Sequence, residues 1–212
     1  MKYAHEKDLL VIMDGKRGDI GPTCKAYAQA YLGNTLLSGD ALTINPYLGR
    51  DGIMPFIKVA NNNDKGIFIL TKTSNPSSDD LQNIVTNDNQ TVYLKTAKLI
   101  SELIGNETGY SNIGAVVAGT FKQDARKIRT ILKHSFFLVP GYGVQGARGA
   151  DLVDYFDQAG LGTLVCASRS IIYPNQFSSD KNTGLCLSDY QKMIVKAVND
   201  ANNDINKYRF YK

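Results

Sequence analysis

The 212-residue chain has no Trp, only 3 Cys and only 2 His. Each shortage argues against a class of chemistry. Cys24, Cys166 and Cys186 are odd in number, far apart and form no C-x-x-C pair, and His5 and His134 stand near neither a Cys nor each other. That pattern speaks against a disulfide framework, a structural zinc site and a bound metal in general. Excess charge of one sign is missing too: 24 Lys+Arg against 20 Asp+Glu gives 24 − 20 = +4, with no dense basic block. Nucleic acid and membrane surfaces therefore have no electrostatic footprint here. No apolar run approaches the ~20 residues that a membrane span needs. The opening MKYAHEKDLLVIMDGK lacks the apolar core of about 7–15 residues that marks a signal peptide. A reducing, cytoplasmic setting is expected.

What is present is ordinary globular composition, 43% hydrophobic and 21% charged, at a length that suits one domain over residues 1–212. Short apolar runs recur at Leu9–Met13, Ala41–Ile44, Gly66–Leu70, Ile113–Ala118, Phe136–Val139 and Thr163–Ala167. They are nearly continuous in Val, Ile, Leu and Phe, as strands buried on both faces of a parallel sheet should be. Between them lie segments with helical spacing, such as Tyr93, Ala97, Ile100 and Ile104, or Tyr190, Met193, Ile194, Ala197 and Val198. Stacked βα units of this kind build a doubly wound sheet or a (β/α)8 barrel, and six strands are countable. One polar connection is long, Ser74–Gln90, and reads as a lid or a surface excursion.

In either architecture ligands bind at the carboxyl ends of the strands. Four such ends carry candidates. After the first run comes DGKRGDIGPT, in which Asp14 and Lys16 share a strand face and Asp19 follows in a glycine-flanked turn. Three charges beside an apolar strand must pair, either as a structural salt bridge or as an array that keeps a lysine protonated for proton delivery. After the third run comes TKTSNP, whose Thr, Ser and Asn suit hydrogen bonding to a heterocycle or simply a Ser/Asn-Pro turn. After the fifth comes PGYGVQG (Pro140–Gly146), formally a G-x-G-x-x-G between a strand and a helix expected near Leu152–Gln158. After the last comes Ser168-Arg169-Ser170. A glycine loop and an arginine after the last two strands are the usual phosphate grip of a barrel, with backbone donors, the Gln145 amide and the Arg169 fork. The same pair also permits an NADP-binding oxidoreductase, Arg169 taking the 2′-phosphate.

DGKRGDIGPT resembles the D-x-K-x-x-D-I-x-x-T signature of the orotidine 5′-phosphate decarboxylase family. NPYLGRDG (Asn45–Gly52), TKTSNPSS (Thr71–Ser78), VPGYGVQG (Val139–Gly146) and ASRSIIY (Ala167–Tyr173) follow in the family's order. They are similar to the branch with KTSNP and PGYGxQG motifs. The resemblance implies a (β/α)8 TIM barrel and conversion of orotidine 5′-phosphate to UMP and CO2, the last step of de novo UMP synthesis, without a cofactor. It implies that Lys16 and Asp14 are the catalytic pair and that Asp19 serves the partner's site in a homodimer, with Ile20 and Thr23 reaching across. It implies that Ser74 hydrogen-bonds the pyrimidine and Pro140 borders the base. Gln145 would bridge base and phosphate, and Gly146 and Arg169 would hold the phosphate. Only thirteen residues precede Asp14, so the family's first two strands, with a ribose-contacting Asp and a second Lys, have no counterpart here. About six of eight βα units are expected. A catalytically dead, phosphate-binding relative is the alternative within the family.

Overall fold

The computed structural model of the protein describes residues 1–106, 108–174 and 186–210. Six parallel strands form one sheet in sequence order: β1 Ile12–Arg17, β2 Ala41–Ile44, β3 Gly66–Lys72, β4 Ser111–Val117, β5 Ser135–Val139 and β6 Thr163–Val165. The helices are α1 Lys2–His5, α2 Gly21–Leu32, α3 Arg50–Asn62, α4 Val92–Ile104, α5 Lys122–Ile131, α6 Arg169–Ile172 and α7 Leu187–Tyr208, with 3-10 segments at Pro76–Asp80 and Gly149–Tyr155. Parallel neighbours in strict sequence order, joined by helices, are the signature of a sheet curling toward a barrel and not of a doubly wound sheet, whose order reverses. Among the described residues β1 pairs only with β2 and β6 only with β5, so the curl is a half-barrel.

The strand sequences explain why both faces are covered. All four residues of Ala41–Ile44 are buried, as are six of the seven in Ser111–Val117. Ile44, Ile67, Ile69, Val117, Phe137 and Val139 pack outward against Leu32, Phe56, Ile100 and Ile128 of the helices. Ala41, Phe68, Val116 and Leu138 form a second, smaller cluster on the concave face. The alternation of inward Phe68 with outward Ile67 and Ile69 is the period-2 geometry of a strand with two apolar partners.

Three expectations are refined. The first strand runs over Ile12–Arg17, not Leu9–Met13; Leu9 and Leu10 lie exposed before it. The segment Lys2–Val11 is stitched to the sheet by Asp40, whose Oδ2 accepts from the Val11 amide at 2.6 Å and meets His5 Nε2 at 3.0 Å. The helix expected at Leu152–Gln158 is a 3-10 segment, Gly149–Tyr155. Ser74–Gln90 is largely exposed but ordered by a 3-10 turn and the buried Ser78, is tied to Thr91 by a bridge from Val85, and lines the cavity through Ser74, Asn75, Leu81 and Gln82.

Candidate active site

The carboxyl ends of the strands surround a cavity of about 1000 Å³. Asp14 and Lys16 of β1, Thr43 of β2, Thr71, Thr73 and Ser74 at the end of β3, Pro140 after β5 and Cys166 and Ser168 after β6 all line it. Asp14, Lys16, Ser74 and Pro140 are thus brought together as the sequence leads one to expect.

The local backbone sets the charged pair. The β1–β2 register runs Met13↔Leu42 and then Arg17↔Ile44, so β1 carries extra residues against β2 across Asp14–Lys16. Such a bulge re-aims side chains at a strand end. Lys16 sits there at φ 46°, in the left-handed region where a non-glycine residue is strained. Thr43 fills the gap in the ladder. Its Oγ1 accepts from the Lys16 amide at 3.0 Å and donates to Asp14 Oδ1 at 2.8 Å, while Lys16 Nζ donates to Asp14 Oδ2 at 2.5 Å. Burial works against the Asp14 carboxylate, but the hydrogen bonds from Lys16 and Thr43 and the Lys16 charge outweigh it and hold the group below its usual value. Both side chains are more than half exposed, so the pair adds little to stability and its strain points to chemistry. Burial and the Asp14 charge push the Cys166 thiol up, which places Cys166 within electrostatic reach of the pair as a neutral neighbour.

Ser74 follows a braced strand end. The Thr73 amide donates to Gln82 Oε1 at 3.0 Å, Gln82 Nε2 donates to Thr73 Oγ1 at 2.7 Å, and Thr73 Oγ1 donates to Asn75 Oδ1 at 2.7 Å. Leu81 and Gln82 line the cavity beside Ser74.

The glycine loop and the arginine loop lie side by side: a Cβ on Gly143 would come within 3.2 Å of Ser170 Oγ. Gly141, Gly143 and Gly146 all have positive φ. The loop closes on itself, with the Gly143 amide donating to Ala147 O and the Gly146 amide donating to Gly143 O. Gly146 therefore spends its N–H within the loop; the Gln145 and Arg169 side chains are exposed, and neither they nor Gly146 line the cavity. A 3-10 segment follows in place of a helix, so the loop lacks the long helix N-terminus on which a dinucleotide pyrophosphate rests. From behind, Asp204 of α7 pins the loop, accepting from Tyr142 Oη at 2.9 Å and from the Gly149 amide at 2.8 Å.

Asp19, Ile20 and Thr23 lie outside the cavity. Asp19 Oδ1 accepts from the Ile20 amide, Ile20 is largely exposed, and Thr23 faces solvent at the start of α2. Thr43 and Lys72 are the residues sequence reasoning passed over. A buried Thr inside the apolar run ALTI was the available signal for the first.

A curled parallel sheet with a lysine–carboxylate pair, a polar wall and an arginine–glycine rim at its carboxyl ends defines a (β/α)-barrel type of ligand site. Residues 1–176 match the model of the "Orotidine 5'-phosphate decarboxylase / HUMPS family". The chain belongs to that family. It is 44% identical over 213 residues to the orotidine 5′-phosphate decarboxylase of Caldicellulosiruptor saccharolyticus, covering 94% of this chain and 69% of that protein. The orotidine 5′-phosphate decarboxylase of Petrotoga mobilis is 38% identical, covering 99% and 71%. Among solved structures, Leishmania donovani OMP decarboxylase matches with a TM-score of 0.74 at 29% identity, covering 95% of this chain and 69% of that one. No helix among the described residues is long and apolar enough to cross a membrane.

Proposed function

We propose that the chain decarboxylates orotidine 5′-phosphate to UMP and CO2 in the cytoplasm, as the last step of de novo UMP synthesis. The observation that carries the reading is the Lys16–Asp14 pair held on a strained strand bulge inside a cavity it shares with Ser74. Family membership supports the substrate. Residues 1–212 form one domain, an incomplete barrel of about six βα units, and work as a homodimer in which Asp19, Ile20 and Thr23 serve the partner's site.

In this reading Ser74 hydrogen-bonds the pyrimidine, Pro140 borders it, Gln145 bridges base and phosphate, and Arg169 with the Gly146 turn grips the phosphate. The C6–carboxylate bond then breaks, CO2 leaves, and the electron pair stays on C6. That carbanion has no adjacent electron sink, so a preorganised cation is the available stabiliser. Lys16 supplies the charge and then a proton to C6, and regains its own from water. Asp14 keeps Lys16 charged and lies close to the departing carboxylate. Binding at the remote phosphate holds the base in register.

Two variants of the full chain test the roles. Lys16→Ala should lower decarboxylation by roughly a thousandfold or more while still binding UMP. Arg169→Ala should weaken UMP binding by roughly ten- to a hundredfold. Appreciable turnover by the first, or unchanged affinity in the second, would refute the assignment. The unpaired edges of β1 and β6 among the described residues favour a second reading, UMP binding without turnover. Wild-type turnover assayed beside a UMP titration separates the two.

A further inference from the structure

Lys72 is fully buried, and the proposed chemistry does not use it. The β3–β4 register shifts between Leu70 and Lys72, and the period-2 alternation breaks there: Leu70 and Thr71, with Thr73 just past the strand, line the cavity, and Lys72 does not. Its ammonium meets a cage from three further elements. Nζ donates to Asn83 Oδ1 at 2.9 Å and to Asp79 Oδ1 at 3.2 Å. It also lies 4.5 Å from the Phe121 ring centroid and 5.6 Å from that of Tyr93. Phe121 caps α5 and Tyr93 belongs to α4. Asp79 and Asn83 are joined to each other, Asn83 Nδ2 donating to Asp79 Oδ1 at 2.6 Å.

A buried ammonium must hold its partners, because losing them leaves an unpaired charge in the interior. Asp79 is 63% exposed, so the cation reaches outward to fix a residue that water would otherwise leave free. The segment it fixes is the one whose near side carries Ser74, Asn75, Leu81 and Gln82 into the cavity. We propose that Lys72 is a positioning residue that sets the height of the Ser74–Gln82 wall, and so the recognition of the pyrimidine, without touching the ligand. Thr73 and Gln82 form the stitch on the cavity side, and Lys72 with Asp79 and Asn83 forms the stitch behind it. This rests on the reading of the cavity given above.

The test uses two ligands that differ in the base. The full chain and its Lys72→Met and Asp79→Ala variants are titrated with UMP and with ribose 5-phosphate, with thermal melts recorded alongside. A misplaced wall should weaken UMP by about ten- to a hundredfold and leave ribose 5-phosphate unchanged. A purely structural lysine would weaken both alike or neither, and either result overturns the proposal. Should Lys72→Met fail to fold, Asp79→Ala, altered at an exposed carboxylate, carries the same split. Wild-type chain that binds neither ligand would sink the reading of the site itself; wild-type binding without the split sinks only the role of Lys72.

Discussion

Among the described residues two cations are buried, Lys72 and Arg129, one toward each end of the strands, and they are neutralised in different ways. Arg129 of α5 donates to backbone carbonyls alone: Tyr155 O at 3.0 and 2.7 Å, Leu132 O at 2.9 Å, Ser135 O at 2.7 Å and Gly162 O at 2.8 Å. Its guanidinium stacks on Phe137 at 3.5 Å from the centroid, and burial pulls its pKa down to about 10. Lys72 is satisfied by side chains of a surface segment. Carbonyls at strand and helix ends cannot move without unfolding the elements they belong to, so Arg129 is scaffold. Side chains on a connection can move, so Lys72 tunes a wall. Opposite ends of one sheet thus use the same kind of buried charge, one for stability and one for shape.

The contrast can be broken most directly at Arg129. Arg129→Met removes five buried hydrogen bonds to four carbonyls, of which Tyr155 O keeps Thr163 Oγ1 and Gly162 O keeps the Phe137 amide, and should cost roughly 3–5 kcal/mol of stability. Urea denaturation reads this. Lys72→Met removes one cation whose acidic partner is solvated, and should cost about 1–2 kcal/mol in the same experiment. Equal losses at the two positions would dissolve the distinction between scaffold and wall.

A smaller effect sharpens the scaffold end through pH. Burial opposes the charge of Asp157, but Tyr110, the Leu161 and Ala159 amides and the Arg129 charge outweigh it and hold its carboxyl below 3.8. A carboxyl depressed in the folded state gives stability that is present above its unfolded value and lost as pH falls through the native one. Stability should therefore drop as pH falls from about 4, and Asp157→Asn should flatten that acid limb by lowering the urea midpoint at pH 7, the two proteins converging at low pH. An acid limb identical in the variant would remove Asp157 from this role.

The buried strands were legible because Ala41–Ile44, Gly66–Lys72 and Ser135–Val139 are apolar on both faces, and continuous runs register that directly. The first strand was misplaced because an edge strand ending in charged residues shows its pairing only in three dimensions; Leu9 and Leu10 look like strand and lie in solvent. Asp14, Lys16 and Ser74 were legible as polar residues at the ends of such runs, and Pro140 through the family resemblance alone. Thr43 was not, since a Thr in a strand reads as a good β-former and its hydroxyl bonds are tertiary. Lys72 was hidden by the ordinary expectation that lysine is exposed. Gly146 was legible as a glycine but not as one whose amide is already engaged.

The left-handed backbone at Lys16 bears on how this sequence can drift. Glycine would relax that torsion by about 1–2 kcal/mol, so thermodynamics alone selects against a lysine there. Position 16 therefore sits under two opposed pressures, one from folding and one from whatever the ammonium does. A lineage released from the second would gain stability with a single exchange, and the residue found at this one torsion reports which pressure has prevailed.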